Sequence, residues 1–255
     1  MSTMMLAATG IIAVISGCAP HPGQTELNAH HTSTALRSAT SVFVLGGIHQ
    51  THERAKKYTY DRMGEVFEHL RPDVLCVEIQ QKYLDDGSEK GMPYDFKKFV
   101  VPLARKRRIP IVGIDWWDET RGRRWQELQQ KAFSDPSLRA EAALIGGIFE
   151  LLNGYFAERD FQEINSAEIS AIWQAKSELK YRIYRKHSEY RSLWAFEKER
   201  NDRMVANVAR VVARNPQKRV LVAVGIDHKY YLERALRDRG VKVLTAKEAM
   251  AEWWR

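Results

Sequence analysis

Three short runs of apolar residues stand out along the chain, and they predict the buried strands of a parallel sheet. They occupy residues 42–45, 74–77 and 220–224. Each run is aliphatic, aromatic or β-branched and contains no polar residue, as expected of strands that are buried on both faces. A polar residue that can transfer a proton or bind a metal follows each run closely. Because open α/β sheets bind ligands at the carboxyl ends of their strands, we expect these residues to share a site.

The polar residues at the strand ends repeat one motif. Residues 46–49 read Gly-Gly-Ile-His and residues 225–228 read Gly-Ile-Asp-His, so Gly-x-x-His follows a strand twice, and Glu78 follows the strand between them. A glycine at a strand end lets the backbone turn sharply and lets a ligand approach closely. The pattern predicts that His49, Glu78 and His228 converge at one edge of the sheet. The glycines predicted to border the substrate there are Gly46, Gly47 and Gly225.

Helical periodicity and turn residues divide the remaining sequence. A helix is predicted from His49 to about residue 70, and the resulting βαβ unit would place His49 and Glu78 at the ends of adjacent strands. Residues 120–215 have helical spacing throughout, which predicts an insertion able to cap the carboxyl edge of the sheet. The predicted fold is therefore α/β, a mostly parallel sheet of βαβ units with a large all-helical insertion before the last strands. The other predicted elements are a polar loop at 81–94, a helix at 96–107, a strand at 110–114, a helix at 229–239, an edge strand at 241–244 and a helical tail at 247–255.

Two further side chains are expected near the same edge. Asp115 follows the strand at 110–114, and it is predicted either to contact substrate or to act as a helix cap or turn residue. Arg200 lies on the apolar face of a helix predicted at 188–213, and an arginine in apolar surroundings needs an anionic partner. Glu78, Asp115 or a substrate carboxyl would supply that partner. A snorkelling arginine or a purely structural ion pair is the alternative.

Composition and charge narrow the function classes. The chain has 255 residues, a net charge of +8, 44% hydrophobic residues and 28% charged residues. These values are ordinary for one α/β domain with an insertion, or for at most two domains. Compact basic blocks occur only at 105–108 and 121–124, and the other basic residues alternate with acids, which favours a solvated basic surface over a nucleic-acid site. We therefore expect a peptide or small-molecule substrate and no nucleic-acid partner.

The beginning of the chain predicts an exported protein. Residues 1–17 contain an apolar run that is too short to span a bilayer but has the length of a signal-peptide core. Residues 18–40 are rich in Pro, Gly, His and Thr, as expected of a flexible tether. The folded domain is predicted at 41–255.

The cysteines agree with export and lipid anchoring. Residues 15–18 read Ile-Ser-Gly-Cys, which resembles the lipobox of bacterial lipoproteins and implies a lipid on Cys18, contact with the membrane and a place in the cell envelope. Residues 1–5 lack Lys and Arg, which signal peptides normally carry, so an untranslocated apolar tail or a mis-assigned start on a cytoplasmic protein is the alternative. Cys76 falls within a strand and is predicted to be a small buried hydrophobe. A zinc site built on cysteines is excluded.

Together these motifs resemble one protein superfamily. The two Gly-x-x-His motifs, the strand-end Glu78 and the sequence Glu-Arg-Asn-Asp-Arg-Met at 199–204 are similar to the TraB/TIKI superfamily, over roughly residues 42–244. That superfamily includes the TIKI peptidases, pheromone-shutdown proteins, GumN-like proteins and, more distantly, erythromycin esterases and ChaN-like lipoproteins. The resemblance implies hydrolysis, with a metal in the peptidase branch and a histidine-activated water in the esterase branch. The positions that it marks are Gly46, His49, Glu78, Arg200, Gly225 and His228.

The residue types favour the same chemistry. Two imidazoles and a carboxylate are a ligand set for a catalytic divalent metal such as Mn, Co or Zn, so His49, Glu78 and His228 are candidate ligands. An ion would lower the pKa of a bound water, and Arg200 would stabilise the developing oxyanion. Without an ion, Glu78 or His49 would be the general base and His228 the acid. His52 is a further candidate ligand or a solvated helix-cap residue.

Three readings of the function follow. The first is a hydrolase, a metal-dependent peptidase or an amide or ester hydrolase, with His49, Glu78, Arg200 and His228 as its catalytic residues. The second is a non-catalytic module of the pheromone-shutdown kind that binds a peptide or small ligand. The third is a haem- or iron-binding lipoprotein. Nucleophilic catalysis is disfavoured because the chain has no Gly-x-Ser-x-Gly motif. A dinucleotide site is disfavoured because residues 45–48 lack the glycine spacing of the dinucleotide-binding motif.

Overall fold

The computed structural model describes residues 39–253, and a five-stranded parallel sheet runs through them. The predicted signal segment, Cys18 and nearly all of the tether lie outside these residues, so lipid anchoring stays a prediction. Along the part of the chain that is described, no helix is both long enough and apolar enough to cross a membrane. The strands are β1 Ser41–Gly47, β2 Val74–Val77, β3 Ile111–Gly113, β4 Arg219–Gly225 and β5 Lys242–Leu244.

The spatial order of the strands is β3-β2-β4-β1-β5, and every pairing is parallel. The prediction that His49 and Glu78 leave adjacent strands is wrong, because β4 lies between β1 and β2. Val222 of β4 pairs with Val44 of β1 on one side and with Cys76 of β2 on the other. The connection from β1 to β2 therefore skips one position, and β4 fills it after the helical insertion. The α/β fold itself is as predicted.

Ten α-helices occur between residues 39 and 253. The insertion between β3 and β4 contains five of them, α4 to α8, which confirms the predicted all-helical segment before the last strands. A π-helical turn, Phe96–Val100, leads into α3, and short 3₁₀ helices occupy His49–Glu53, Pro136–Leu138 and Ser188–Tyr190. The helices are α1 Tyr60–Leu70, α2 Gln81–Asp85, α3 Val101–Lys106, α4 Glu119–Ser134, α5 Arg139–Ala157, α6 Phe161–Ile164, α7 Ala167–Lys186, α8 Arg191–Arg214, α9 Ile226–Arg237 and α10 Ala246–Trp253.

Some element boundaries differ from the predictions. The helix predicted from His49 to residue 70 is two pieces, because the Thr59 hydroxyl accepts the Arg62 backbone N–H at 3.2 Å and starts α1 anew. The predicted loop at 81–94 begins with the one-turn helix α2. Helix α9 begins at Ile226 rather than at Lys229, so the second Gly-x-x-His motif enters the first helical turn.

Alternate strand residues bury into two cores on opposite faces of the sheet, as the two-residue period of a strand requires. Phe43 and Leu45 of β1 face a core built with α1, α10 and the insertion helices α5 to α7. Val42 and Val44 face the core formed with α8 and α9. The insertion has a further small core of its own, which includes Ile145. The result is an α/β/α sandwich whose insertion extends to the carboxyl edge.

Candidate active site

The carboxyl edge of the sheet carries the residues that the sequence singled out. His49, Glu78, Arg200 and His228 line a single cavity of about 530 Å³. They arrive there from the ends of β1 and β2, from the insertion helix α8 and from the first turn of α9. We call this space the histidine cavity, after His49 and His228. Its other walls include Phe149, Trp173 and Lys176.

Arg200 is the centre of the charged cluster. Its Nε and Nη2 donate to the two carboxylate oxygens of Asp115 at 3.0 and 2.7 Å, a bidentate pairing. Nη2 also donates to Glu78 Oε1 at 2.6 Å, and Nη1 donates to His228 Nε2 at 3.0 Å. The indole ring of Trp117 lies 4.7 Å below the guanidinium carbon. The expected anionic partners of Arg200 are therefore both Glu78 and Asp115.

The hydrogen bonds of His228 define its protonation. Its Nε2 accepts from Arg200, which can only donate, so this nitrogen carries a lone pair. Its Nδ1 lies 2.7 Å from Asn201 Oδ1, which can only accept, so Nδ1 carries the hydrogen. These partners fix His228 as the neutral Nδ1–H tautomer. In this arrangement His228 has no proton to give at Nε2 and no free lone pair there.

Glu78 ties the ends of two strands together. Its Oε2 accepts the backbone N–H of Gly225 at 2.6 Å, while its Oε1 accepts from Arg200. The side chain is 7% exposed, so both oxygens receive hydrogen bonds in a nearly dry environment. Gly225 has to lack a side chain, because a Cβ there would lie 2.7 Å from Nε2 of His49. The glycine of the second motif thus makes room for the histidine of the first.

His49 is held by a buried carboxylate that the sequence analysis did not single out. Asp95 is fully buried, and its oxygens contact both the backbone N–H of His49 and the ring Nδ1, each at 3.2 Å. His49 has φ +49°, a left-handed conformation that is uncommon for residues other than glycine. Gly47 permits this arrangement, since a Cβ there would lie 2.5 Å from Asp95 Oδ2. Asp95 therefore fixes the backbone and the ring of His49 together.

The electrostatics of the site favour a protonated His49. Burial would lower the pKa of His49, but the hydrogen bond and charge of Asp95, with the charges of Glu78 and Asp227, raise it to about 9. For Asp95 burial would raise the pKa, and the contact with His49 holds it well below its usual range. At neutral pH the pair is an imidazolium beside a carboxylate. The ring Nε2, which Asp95 does not contact, then carries a proton at the cavity.

Three further charged residues line the cavity, Arg54, Lys176 and Asp227, and the sequence analysis predicted none of them as a site residue. Asp227 lies within 3.9 Å of His228 Nε2 and keeps 52% of its side chain exposed. Burial would raise the pKa of Asp227, but the positive charges of Lys176 and His49 hold it well below its usual range. Burial lowers the pKa of Lys176 to about 8, an effect that Asp227 partly offsets. The ammonium of Lys176 rests 3.7 Å from the ring centre of Trp173.

Other predicted positions have the following outcomes. Asp115 acts as a turn residue, because its Oδ1 accepts the backbone N–H groups of Trp116 and Trp117, and it also pairs with Arg200. It lines neither the histidine cavity nor the cavity beside it, so its contact with substrate stays a prediction. His52 is not a solvated cap residue. It is 2% exposed and contacts the Tyr58 carbonyl and the Ile48 N–H through its two ring nitrogens.

The three predicted glycines differ in their positions. Gly47 lines the histidine cavity, and Gly225 borders it through Glu78 and His49. Gly46 does not line it. Its N–H donates to Asn165 Oδ1 at 2.8 Å, and the side chain of Ile226 fills the space beside its Cα, so Gly46 serves packing.

The side chains as arranged do not fit a divalent ion at His49, Glu78 and His228. Arg200 donates to Glu78 Oε1 and to His228 Nε2, the atoms that would face the ion, and the Gly225 N–H occupies the other Glu78 oxygen. Across residues 39–253, no group of three or more His, Cys, Asp or Glu side chains is placed to hold a metal. A guanidinium thus lies where a cation was expected, and binding of Mn, Co or Zn stays a prediction.

A second cavity of about 390 Å³ adjoins the first. We call it the aromatic cavity, because its walls include Trp117, Trp125, Phe133, Phe149, Tyr181 and Phe196. The two cavities share Phe149, Lys176, Arg200, Asp227 and His228. A bond held at these shared residues would have one substituent in each cavity.

Comparison with known proteins adds no relative. No family model, curated protein or solved structure matches the chain. The resemblance to the TraB/TIKI superfamily therefore stays a prediction that depends on the strand-end motifs.

Proposed function

We propose that this protein hydrolyses ester or amide bonds, with His49 as the acid and Asp227 as the base. The observation that carries the proposal is the His49–Asp95 pair, which presents a cationic ring to a cavity that also contains a carboxylate and an arginine. A fixed acid, a fixed base and an electrostatic stabiliser in one cavity are the groups that acyl transfer to water needs.

His49 suits the role of general acid. With a pKa of about 9 it is protonated at neutral pH, and its Nε2 is the nitrogen left for the substrate. Proton donation to the departing oxygen or nitrogen converts a poor leaving group into a neutral alcohol or amine. Asp95 keeps the ring in place and stabilises its charge, so it is a positioning residue.

Asp227 is the better placed of the acidic side chains to activate water. Glu78 and Asp115 already accept from Arg200 and from backbone N–H groups, and both are buried. Asp227 is ionised at neutral pH, lines both cavities and is half exposed. A water beside Asp227 would lose its proton to the carboxylate as it attacks the substrate carbonyl.

Arg200 supplies the electrostatic stabilisation. A guanidinium has five N–H groups, and within the described structure four of those of Arg200 donate to Asp115, Glu78 and His228. One N–H, on Nη1, remains for the carbonyl oxygen that becomes negative during attack. The bonds to the two carboxylates hold the guanidinium in position beforehand.

The test measures the hydrolysis of a panel of chromogenic esters and peptide amides, with each substrate in excess over the protein. Replacement of one acid–base group lowers rates by roughly 100- to 10,000-fold, so we expect losses of that size in His49→Gln and Asp227→Asn. His187→Gln is the matched control, because His187 follows helix α7 and lines neither cavity. Equal turnover in all four proteins would contradict the assignment.

The same preparations separate the alternatives. Stoichiometric ligand binding by wild type without product formation would favour the non-catalytic reading. Mass spectrometry for Mn, Co, Zn and Fe, with assays before and after chelation, tests the metal prediction. The haem reading predicts a visible absorption band after haem addition. Its candidate ligands are His49 and His52, and of these only His49 lines the cavity, because His52 is buried.

A further inference from the structure

Two side chains in the wall of the aromatic cavity each carry a polar atom that lacks a partner. The indole N–H of Trp125 and the amide oxygen of Gln129 are buried, and neither has a hydrogen-bond partner within the described structure. Both residues lie on α4 and are four positions apart, so their side chains occupy the same helix face. A buried polar atom without a partner costs free energy, and a ligand that bonds to both would recover it.

The chemistry of these two atoms is complementary to one kind of group. Trp125 offers a donor and Gln129 offers an acceptor. A hydroxyl both accepts and donates, so a single hydroxyl satisfies the two atoms together. The surrounding rings of Phe133, Phe149 and Phe196 favour an aromatic body beside that hydroxyl. A phenol combines these properties.

The wall of the aromatic cavity also contains a cationic side chain that forms no ion pair within the described structure. Lys180 is paired with Glu197 at 2.7 Å, and Arg200 is paired with Glu78 and Asp115. Among residues 39–253, Lys176 has no carboxylate within ion-pair distance, and its contacts are the rings of Trp173 and Phe149. The nearby negative charges are Asp227, which also faces His228, and Glu197, which is already paired with Lys180. Lys176 is thus available to a carboxylate of the substrate.

From this arrangement we propose that the substrate carries a hydroxylated aromatic ring, which the aromatic cavity binds, and a carboxylate, which Lys176 binds. The hydroxyl accepts from Trp125 and donates to Gln129. The scissile ester or amide bond then lies at the shared residues, and its other substituent occupies the histidine cavity. This inference names the substrate class of the proposed hydrolase and so rests on that function, but it concerns binding and is testable without turnover.

The probes are three small acylated amino acids that differ by one group each. N-acetyltyrosine has the hydroxyl and the carboxylate, N-acetylphenylalanine lacks the hydroxyl, and N-acetyltyrosinamide lacks the carboxylate. Affinities are measured by calorimetry with the full-length protein, in wild type and in the turnover-deficient His49→Gln variant. We expect N-acetyltyrosine to bind about tenfold more tightly than each of the other two, the size of effect expected when a buried polar group loses its partner.

Three variants assign the contacts. Trp125→Phe and Gln129→Met keep the approximate size of the side chain but remove its polar group. In each variant we expect N-acetyltyrosine to bind less than about threefold more tightly than N-acetylphenylalanine. Lys176→Met is expected to abolish the preference for the carboxylate and to retain the preference for the hydroxyl. Gln130→Met is the matched control, because Gln130 is exposed on the same helix and should leave both ratios unchanged.

The outcomes separate this inference from the proposed function. The substrate class would be overturned if wild type bound N-acetyltyrosine and N-acetylphenylalanine equally well, or bound neither at millimolar concentration. It would also be overturned if Trp125→Phe left the ratio of these two affinities unchanged. Turnover of other esters or amides would then still support the hydrolase. Selective binding with no turnover of any panel substrate would support this cavity and contradict the hydrolase.

Discussion

At the scale of single residues, His49 shows how a costly conformation is maintained. A left-handed backbone at a histidine costs on the order of 1 kcal/mol, and such strain persists only when its surroundings fix it. Here Asp95 contacts both the backbone N–H and the ring of His49, and Asp95 itself is fully buried. Strain of this kind concentrates at functional sites, which agrees with the role proposed for His49.

The first prediction at this scale concerns the pKa of His49. Asp95→Asn removes the charge that raises this pKa, so we expect it to fall from about 9 to near or below the ordinary 6.5. The measurement is an NMR titration of the imidazole resonances. Asp86→Asn is the control, since Asp86 is exposed and belongs to the same loop as Asp95. A His49 pKa near 9 in Asp95→Asn would contradict the assigned cause.

The sequence identifies some site residues and misses others for physical reasons. His49, Glu78 and His228 are visible because each follows an apolar strand, and Arg200 because a charge interrupts an apolar helix face. Asp95 was missed because an acid just before a helix is fully explained as a cap, and its Oδ1 does accept the Phe96 N–H at 3.1 Å. Its second role depends on contacts that span 46 positions of sequence, and no local pattern records these.

At the scale of elements, the junction between β4 and α9 organises the site. The backbone N–H of Gly225 binds Glu78, the space above its Cα admits His49, and the helix that starts next carries Asp227 and His228. Asp227 in the first turn of α9 is also favourable to the helix dipole. One glycine thus connects the ends of β1, β2 and β4.

Gly225→Ala is therefore expected to disturb both stability and activity. The new Cβ would lie 2.7 Å from Nε2 of His49 and 2.9 Å from Oδ1 of Asp227, so both side chains must move. Overpacking of this kind lowers the free energy of unfolding by about 1–3 kcal/mol. Urea denaturation measures this loss, and turnover or probe binding reports the displaced side chains.

Gly154→Ala is the opposite case and serves as its control. Gly154 lies within α5, and nothing is within 4 Å of the position that a Cβ would take. Alanine there should raise the free energy of unfolding by about 0.5–1 kcal/mol, because glycine loses more backbone entropy in a helix. A Gly225→Ala protein as stable and as active as wild type would contradict the proposed packing.

Elements are easier to predict than their spatial arrangement. The strands and the helical insertion follow from the spacing of apolar residues along the chain. The order of the strands does not, because it depends on where each crossover packs on the sheet, and β4 joins it only after more than a hundred residues. The helix start at His49 was predicted, but the break between the short helix His49–Glu53 and α1 was missed, because Thr59 caps a new helix there.

At the scale of the whole molecule, a buried charge cluster joins the helical insertion to the sheet. Arg200 belongs to α8, whereas Glu78 follows β2 and Asp115 follows β3. Apolar packing of Met204 and Val208 against the sheet holds α8 from the same face. The cluster therefore couples the position of the insertion, and with it the walls of both cavities, to the carboxyl edge.

Removal of this arginine should reverse the pH dependence of stability. In wild type, burial would raise the pKa of Asp115, but Arg200 lowers it. The ion pair with Arg200 therefore stabilises the fold at pH values above the ordinary carboxyl pKa near 3.9. This stabilisation is lost only as pH falls through the lowered pKa of Asp115. Arg200→Met removes the cation that Glu78 and Asp115 both contact, at a cost of about 3–5 kcal/mol at pH 7. Burial then raises the pKa of Asp115, and its protonation relieves the cost as pH falls.

We therefore expect the difference in unfolding free energy between wild type and Arg200→Met to shrink from pH 7 to pH 5. Urea denaturation at pH 7, 6 and 5 measures it for each protein. Arg210→Met is the control, because Arg210 lies on the same helix, is exposed and bonds only with Asn207 among the described contacts. Its difference from wild type should stay within about 0.5 kcal/mol at every pH. If Arg200→Met loses the same unfolding free energy at pH 7, 6 and 5, the two carboxylates have found another cation. The insertion would then be coupled to the sheet by apolar packing alone.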